Sequence, residues 1–431
     1  MIHSNFNINE INHLTFAGAD CVGLAKKYGT PLYVIDEDMI RENCRIYRYC
    51  TEKYFGSDSL PLYASKALCC KEIYRILAEE GIGADVVSAG EIFTAMSVGF
   101  PADRIYFHGN NKTAKEIEYA FDCGIGAFII DNTDELFAVN EEALKRNKVQ
   151  NVMLRLSPGI DPHTFKAVMT GSVDSKFGVP IETGQAFDFV KSALGCKGIN
   201  VEGIHCHIGS QIFDVDPFVD AARIMLDFTV EIRNKLGYTF KKINLGGGIG
   251  VRYVESDPKI NIGDVMFGIG CALQGLVESR GLKPPVFMFE MGRFIVANAG
   301  ATLYTVGSVK QIKGYKNYVC IDGGMTDNPR FALYGAKHTV YNASDASCTK
   351  RIKADLAGRN CESDDLIGED MDLPEFKKDD ILAVAVTGAY NYTMASNYNR
   401  VPRPAMVSVS KGTEKLIVKR ETFEDMIKNE V

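Results

Sequence analysis

Between residues 59 and 293, short apolar runs recur at even intervals, each ending in a polar or glycine-rich turn that leads into a stretch of helical periodicity. The runs are Leu60–Ser65, Ala84–Ser88, Arg104–Phe107, Ala127–Ile130, Asn151–Leu156, Val201–His207, Lys242–Leu245 and Pro285–Phe289. Helices are expected between them, for example over Lys71–Glu80, Glu91–Gly99, Lys115–Cys123 and Pro217–Leu236. Eight strands in strict alternation with helices describe a (β/α)8 barrel of the TIM type. An open doubly wound sheet uses the same alternation but usually fewer strands, so the count and the even spacing favour the barrel.

After Arg293 the pattern changes to short alternating segments, Thr302–Lys310, Tyr318–Ile321, Ile381–Val386 and Ala405–Val409, separated by Gly, Asn and Asp turns. This reads as an all-β domain, a sandwich or barrel, joined by the N-terminal segment through a strand at Pro31–Ile35. The fold class is therefore α/β plus all-β, with the barrel over 36–285 and the β domain over 1–35 and 286–431. Asp355–Asp379 is acidic and irregular, and a loop or insertion is expected there. There is no internal repeat and no low-complexity tract.

Composition narrows the function classes. The 431 residues are 46% hydrophobic and 24% charged, enough apolar material for two domains. The net charge is −7 and no basic stripe alternates with aromatics, which argues against nucleic acid as a partner. No apolar run is long enough to span a bilayer, and the acidic balance disfavours an anionic membrane surface. Met1–Glu10 is polar, so a secretory signal is not expected. The 12 cysteines include no Cys-x-x-Cys pair, which suits reduced thiols in the cytoplasm better than disulfides or zinc.

In a barrel the chemistry stands at the C-terminal ends of the strands. The first run ends at Tyr63-Ala64-Ser65-Lys66-Ala67. A lysine at a partly desolvated mouth has a lowered pKa and the neutral amine that forms imines, although a surface lysine is the plain alternative. The sixth ends at His205-Cys206-His207-Ile208-Gly209-Ser210, with both imidazoles on one face of a strand. A metal pair lacks an evident third ligand, so stacking on a cofactor ring is favoured for one imidazole, while His205 reads equally as a core histidine. The seventh leads into Gly246-Gly247-Gly248-Ile249-Gly250, a turn whose amides can converge on a phosphate. The eighth ends at Glu290-Met291-Gly292-Arg293. Its carboxylate can keep a pyridine nitrogen protonated and its arginine can bind an anion, unless the two are a structural ion pair. Lysine, imidazole, glycine cradle and acid, all at strand ends, are accounted for together by one ligand, pyridoxal 5'-phosphate, and no metal is expected.

On these residues the chain resembles the fold-type III pyridoxal-phosphate-dependent decarboxylases over nearly its whole length. Further matching segments are Asp85-Val86-Val87-Ser88-Ala89-Gly90-Glu91, His108-Gly109-Asn110-Asn111-Lys112, Ser175-Lys176-Phe177-Gly178, Pro329-Arg330-Phe331-Ala332-Leu333-Tyr334, Cys361-Glu362-Ser363 and Gly388-Ala389-Tyr390. The resemblance implies that Lys66 carries the cofactor covalently, His207 stacks on its ring and Glu290 pairs with the ring nitrogen. It implies further that Ser210, Gly247, Gly248, Gly250, Gly292 and Arg293 hold the cofactor, with Tyr390 nearby. It implies too that Arg293, Arg330, Tyr334, Glu362 and Tyr390 contact substrate and that Cys361 donates a proton. By the same resemblance the Cys361–Glu362 pair reaches the site from the partner subunit, which implies a homodimer with shared sites.

The implied reaction is decarboxylation of a small amino acid, meso-diaminopimelate, to L-lysine. Other readings are a decarboxylase of ornithine, arginine, carboxynorspermidine or a D-amino acid, an amino-acid racemase, or a non-catalytic cofactor carrier. A racemase gives no reason for Cys361–Glu362, and a carrier has no use for the β domain. Two features depart from the family pattern. Met291 stands where proline is usual, which is expected to loosen the turn, and the loop His163–Gly171 keeps the family outline with altered residues.

Overall fold

The computed structural model describes residues 1–160 and 175–431, so the His163–Gly171 loop lies outside the described residues. The chain divides into two units. One comprises Met1–Glu42, Val251–Lys259 and Phe294–Val431; the other comprises Asn43–Gly250 and Ile260–Arg293. Val251–Lys259, inside the range 36–285 drawn from sequence, thus groups with the unit rich in antiparallel strands.

In the second unit eight parallel strands follow in chain order: β1 (Leu62–Ala64), β2 (Gly83–Val86), β3 (Ile105–Phe107), β4 (Ala127–Ile130), β5 (Gln150–Ser157), β6 (Ile199–His205), β7 (Lys242–Asn244) and β8 (Val286–Met288). Each pairs with its sequence neighbours, and a short strand at Val179–Pro180 adds to β5. The ring closes through a parallel bridge between Leu62 and Glu290. The Leu62 amide donates to Phe289 O at 3.1 Å and the Met291 amide donates to Leu62 O at 2.9 Å. A proline at 291 would have no N–H for the second bond. Met291 therefore fastens the turn that it was expected to loosen.

Helices α1 (Lys71–Glu79), α2 (Ala89–Met96), α3 (Ala114–Cys123), α4 (Thr133–Lys145), α5 (Gln185–Gly195), α6 (Asp216–Leu236) and α7 (Ile262–Ser279) follow seven of the strands. Their sequences explain their limits. In α3, Thr113 caps the helix and Glu116 returns the bond in a capping box, while Gly124 ends it in the left-handed conformation. In α1, Ile73, Tyr74, Ile76 and Leu77 make one buried stripe. Leu62, Tyr106, Ala127, Ile129, Met153 and Met288, from five different strands, pack into one buried cluster, so the barrel interior is filled rather than open.

The other unit is built on a nine-stranded sheet. Its long strand Gly300–Ile312 pairs through its first half with Leu32–Asp36 and Ile381–Ala385, and through its second half with Lys316–Ile321. Side chains from both halves, among them Tyr304, Val306, Val319, Leu356, Ile367, Leu382 and Val384, meet in one core. The loop expected over Asp355–Asp379 is in part strand: Arg351–Ala357 and Leu366–Pro374 pair antiparallel, and the residues between them form the loop. The acids hid this, because Glu369, Asp370 and Asp372 stand away from the core that Leu356, Ile367 and Leu373 enter, and two register shifts break the period-2 alternation. Among the described residues, no helix is long and apolar enough to cross a membrane.

One buried acid of this unit has a consequence for stability. Asp327 accepts from the Tyr304 hydroxyl and from Gly324 N, while Tyr33 donates to its carbonyl at 2.6 Å. Burial pushes its carboxyl from 3.8 up to about 7 against the pull of those donors. An acid with a raised folded-state pKa stabilises the fold below its unfolded pKa, and that contribution is lost as pH rises through about 7. The melting temperature is thus expected to fall between pH 5 and 8, and Asp327→Asn should make the fall shallower. An unchanged slope in calorimetry of the variant would remove Asp327 as its source.

Candidate active site

Six strand ends of the barrel unit converge on one carboxylate. Glu290, just after β8, is buried, and its amide donates to Gly246 O at 3.0 Å. Its Oε1 accepts from Asn244 Nδ2 at 2.7 Å and lies 3.0 Å from His108 Nε2; its Oε2 lies 3.2 Å from His205 Nε2. Burial opposes its charge, but the two imidazoles outweigh burial and hold the carboxyl well below its usual range. The two rings are 4.8 Å apart and nearly perpendicular. Asp85, at the end of β2, lies 3.7 Å from His108 Nε2 and is pushed up to about 6 by burial. Arg155, on β5, reaches toward Asp131 at 3.8 Å and stacks its guanidinium 4.5 Å over Phe177.

Lys66 sits in a 3-10 turn, Ser65–Ala67, that leaves β1. Hydrogen bonds from Tyr74 to Ser65 Oγ at 2.9 Å and from Tyr63 to Leu68 O at 3.0 Å fix this turn. The turn exposes Lys66, so the desolvation expected at the barrel mouth is not what it supplies. The surroundings are charged instead. Lys66 is felt by Asp85 and by Glu91, a carboxyl that burial raises to about 7. It also adds to the burial that holds His207 well below the usual imidazole range, so His207 is neutral.

The glycine segment after β7 is shaped by close approach. Gly246 and Gly248 have φ of 71° and 118°. A Cβ on Gly247 would lie 2.0 Å from Glu290 O, and one on Gly248 2.3 Å from Gly209 O. Only residues without side chains fit, which leaves backbone as the lining. Gly247 N donates to His207 Nδ1 at 3.3 Å, and Gly250 N to Ile212 O at 2.8 Å. Arg293 donates to Ser210 Oγ at 2.9 Å, joining the ends of β6 and β8. Gly292 packs against Ala64, where a Cβ would lie 3.0 Å from the alanine Cβ.

In the sheet unit the guanidinium of Arg330 lies 5.3 Å over the Tyr334 ring and 5.4 Å over the Tyr390 ring, and Arg330 is buried. Cys361 and Glu362 stand exposed on the loop before Leu366–Pro374. Tyr398 donates to Glu362 at 3.3 Å, and the Cys361 amide donates to Asn399 at 2.7 Å. Buried Asp365 ties this loop to the one leading to Arg330: it accepts from Asn360 N at 2.7 Å, Asn360 Nδ2 at 2.9 Å and the Met325 amide at 2.5 Å.

Thus the barrel unit brings together Lys66, His207, Ser210, the glycines, Glu290 and Arg293, and the sheet unit brings together Arg330, Tyr334 and Tyr390. Sequence reasoning assigned no part to Asn244, Arg155 or His108, and left His205 as a core residue. For Asn244, His205 and His108 the signal was a polar side chain closing or following an otherwise apolar strand, and for Arg155 a charged side chain inside one. The ligand atoms of His108, His205 and Glu290 lie within 4.8 Å of one another, a group that takes in His205 but not His207 of the pair seen in the sequence.

The site residues suit a flat, acid-held ring with an anionic arm. They comprise an amine at β1, an imidazole at β6, a carboxylate floor and a backbone cradle lined by glycines. Residues 38–297 match the family model "Pyridoxal-dependent decarboxylase, pyridoxal binding domain", and the chain belongs to the pyridoxal-dependent decarboxylases of fold type III. Within that class it is 43% identical to diaminopimelate decarboxylase of Bacillus methanolicus, over 97% of both chains. It is 42% identical to that of Bacillus subtilis, over 99% of this chain and 97% of the relative. A crystal structure of diaminopimelate decarboxylase from M. jannaschii in complex with L-lysine superposes with a TM-score of 0.91 at 35% identity, covering 100% of this chain and 98% of the other. The chain is a member of the diaminopimelate decarboxylase family.

Proposed function

We propose that the protein decarboxylates meso-diaminopimelate to L-lysine and carbon dioxide, with pyridoxal phosphate on Lys66. The observation that carries this reading is identity of 42–43% over nearly the full length to enzymes of that name. The geometry supports it. Lys66 would offer the amine for covalent attachment; Gly247, Gly248, Gly250 and Gly292 would leave space for a phosphate, with Ser210 and Arg293 beside it; neutral His207 would hold the ring and Glu290 would accept from its nitrogen. When bound, the cofactor supplies a protonated pyridine ring that takes up the electron pair left by departing carbon dioxide.

The remaining roles belong to the protein's own side chains. Arg330, flanked by Tyr334 and Tyr390, receives the substrate carboxylate that stays. Glu362 receives the far amine, and Cys361 returns a proton to the reacting carbon. Exposure of Cys361 and Glu362 on a loop braced by Asp365 supports their service to a partner subunit, hence a homodimer with shared sites. A thiol-rich chain of this kind suits the cytoplasm. The test is carbon dioxide release from meso-diaminopimelate, ornithine, arginine, lysine and carboxynorspermidine. Meso-diaminopimelate is expected to be the fastest substrate, and faster turnover of any other would overturn the assignment.

A further inference from the structure

The carboxylate of Glu290 has more partners than an acceptor for one ring nitrogen needs. Two donors from two strand ends reach it: Asn244 from β7 and His205 from β6. His108 Nε2, from the turn after β3, lies 3.0 Å from Oε1 but makes no hydrogen bond among the described residues. A carboxylate offers about four lone-pair positions, so two are occupied from within the chain. Of an imidazole's nitrogens only the N–H can bond a carboxylate, so His205 carries its proton on Nε2. His205 Nδ1 is buried with no hydrogen-bond partner among the described residues, which makes that ring singly protonated and neutral.

We propose that His205 is a positioning residue for the decarboxylation, a neutral donor that, with Asn244, keeps Glu290 ionised and leaves it an acceptor position for the cofactor's ring nitrogen. The inference rests on the reading that Lys66 carries pyridoxal phosphate. Without such donors a buried carboxyl takes up a proton, and a protonated Glu290 would leave the ring nitrogen without its acceptor. The neighbouring groups divide in their effect. Asp85 from β2 and Cys206 from β6 work against a second negative charge, as does Tyr47 if ionised, while His108 and Arg155 favour it and Lys66 offsets Asp85. Burial holds His205 at about 4, so it remains a neutral donor across the physiological range. Its bond to Glu290 is therefore the same across that range.

The test uses the holoenzyme reconstituted with cofactor labelled with nitrogen-15 in the ring, and reads the ring-nitrogen shift from pH 6 to 9. In the wild type the ring nitrogen is expected to stay protonated throughout. In His205→Leu it should lose its proton within that range, with kcat lowered about ten- to a hundredfold and KM nearly unchanged. His205→Gln, which keeps an N–H at that place, should restore both. Should the leucine variant fail to keep cofactor, His205→Ala carries the same expectation. A ring nitrogen still protonated in the leucine variant overturns the proposal, as does a glutamine variant no better than the leucine one, or one equivalent of tightly held metal in the purified enzyme. A wild type that takes up no cofactor on Lys66 instead overturns the functional reading on which the proposal stands.

Discussion

Lys66→Ala protein is expected to lose turnover by about a thousandfold or more, and, mixed with Cys361→Ala protein, to recover about a quarter of wild-type activity. The first part follows from the position of Lys66. It is the exposed amine of the β1 turn, beside Asp85, Glu91 and His207. Borohydride treatment of the wild type should fix cofactor on the peptide containing Lys66; fixation on Lys112 would sink the assignment. Lys112 makes a poor candidate, because its amine is already bound to Glu135 at 2.6 Å and to the carbonyls of Gly109 and Ile129. The recovery depends on shared sites. With random exchange about half the dimers are mixed, and each mixed dimer holds one intact site of two. No recovery despite proven exchange would mean that Cys361 serves its own chain.

Arg330→Gln should raise KM for meso-diaminopimelate about ten- to a hundredfold, and should change KM far less for a substrate without a second carboxylate. The substrate's far end carries one positive and one negative group, and an unpaired buried charge costs several kcal/mol. Arg330 is buried and held between two aromatic rings, so its guanidinium is oriented before any ligand arrives. Lysine and ornithine lack the carboxylate that this cation would pair. Equal losses for both substrate types would show that Arg330 braces the sheet unit rather than reads the substrate.

Much of this was legible in the sequence, for a specific reason. The eight barrel strands are continuous apolar runs ended by polar turns, a signal that depends only on neighbours in the chain. The hairpin of Arg351–Ala357 and Leu366–Pro374 was not legible, since its acids lie on the exposed face and its register slips. Within the site, Glu290 and the glycine cradle were visible because strand ends in a barrel collect chemistry. The contact of His108 with Glu290 joins residues far apart in the sequence, and no local pattern encodes it. The exposure of Lys66 was also hidden: a lysine after a buried strand reads as half-buried, whereas in the 3-10 turn it stands exposed.

Met291 leaves a trace in the barrel's opening behaviour. The seam between first and last strands is sewn by two backbone amides, those of Leu62 and Met291, each donating across it. Neither proton can reach solvent while the ring is shut, so both exchange on the timescale of the ring's unrolling. A relative with proline at 291 keeps one such proton and one stitch. This chain has a double-stitched cylinder, with a reporter on each side of the cut.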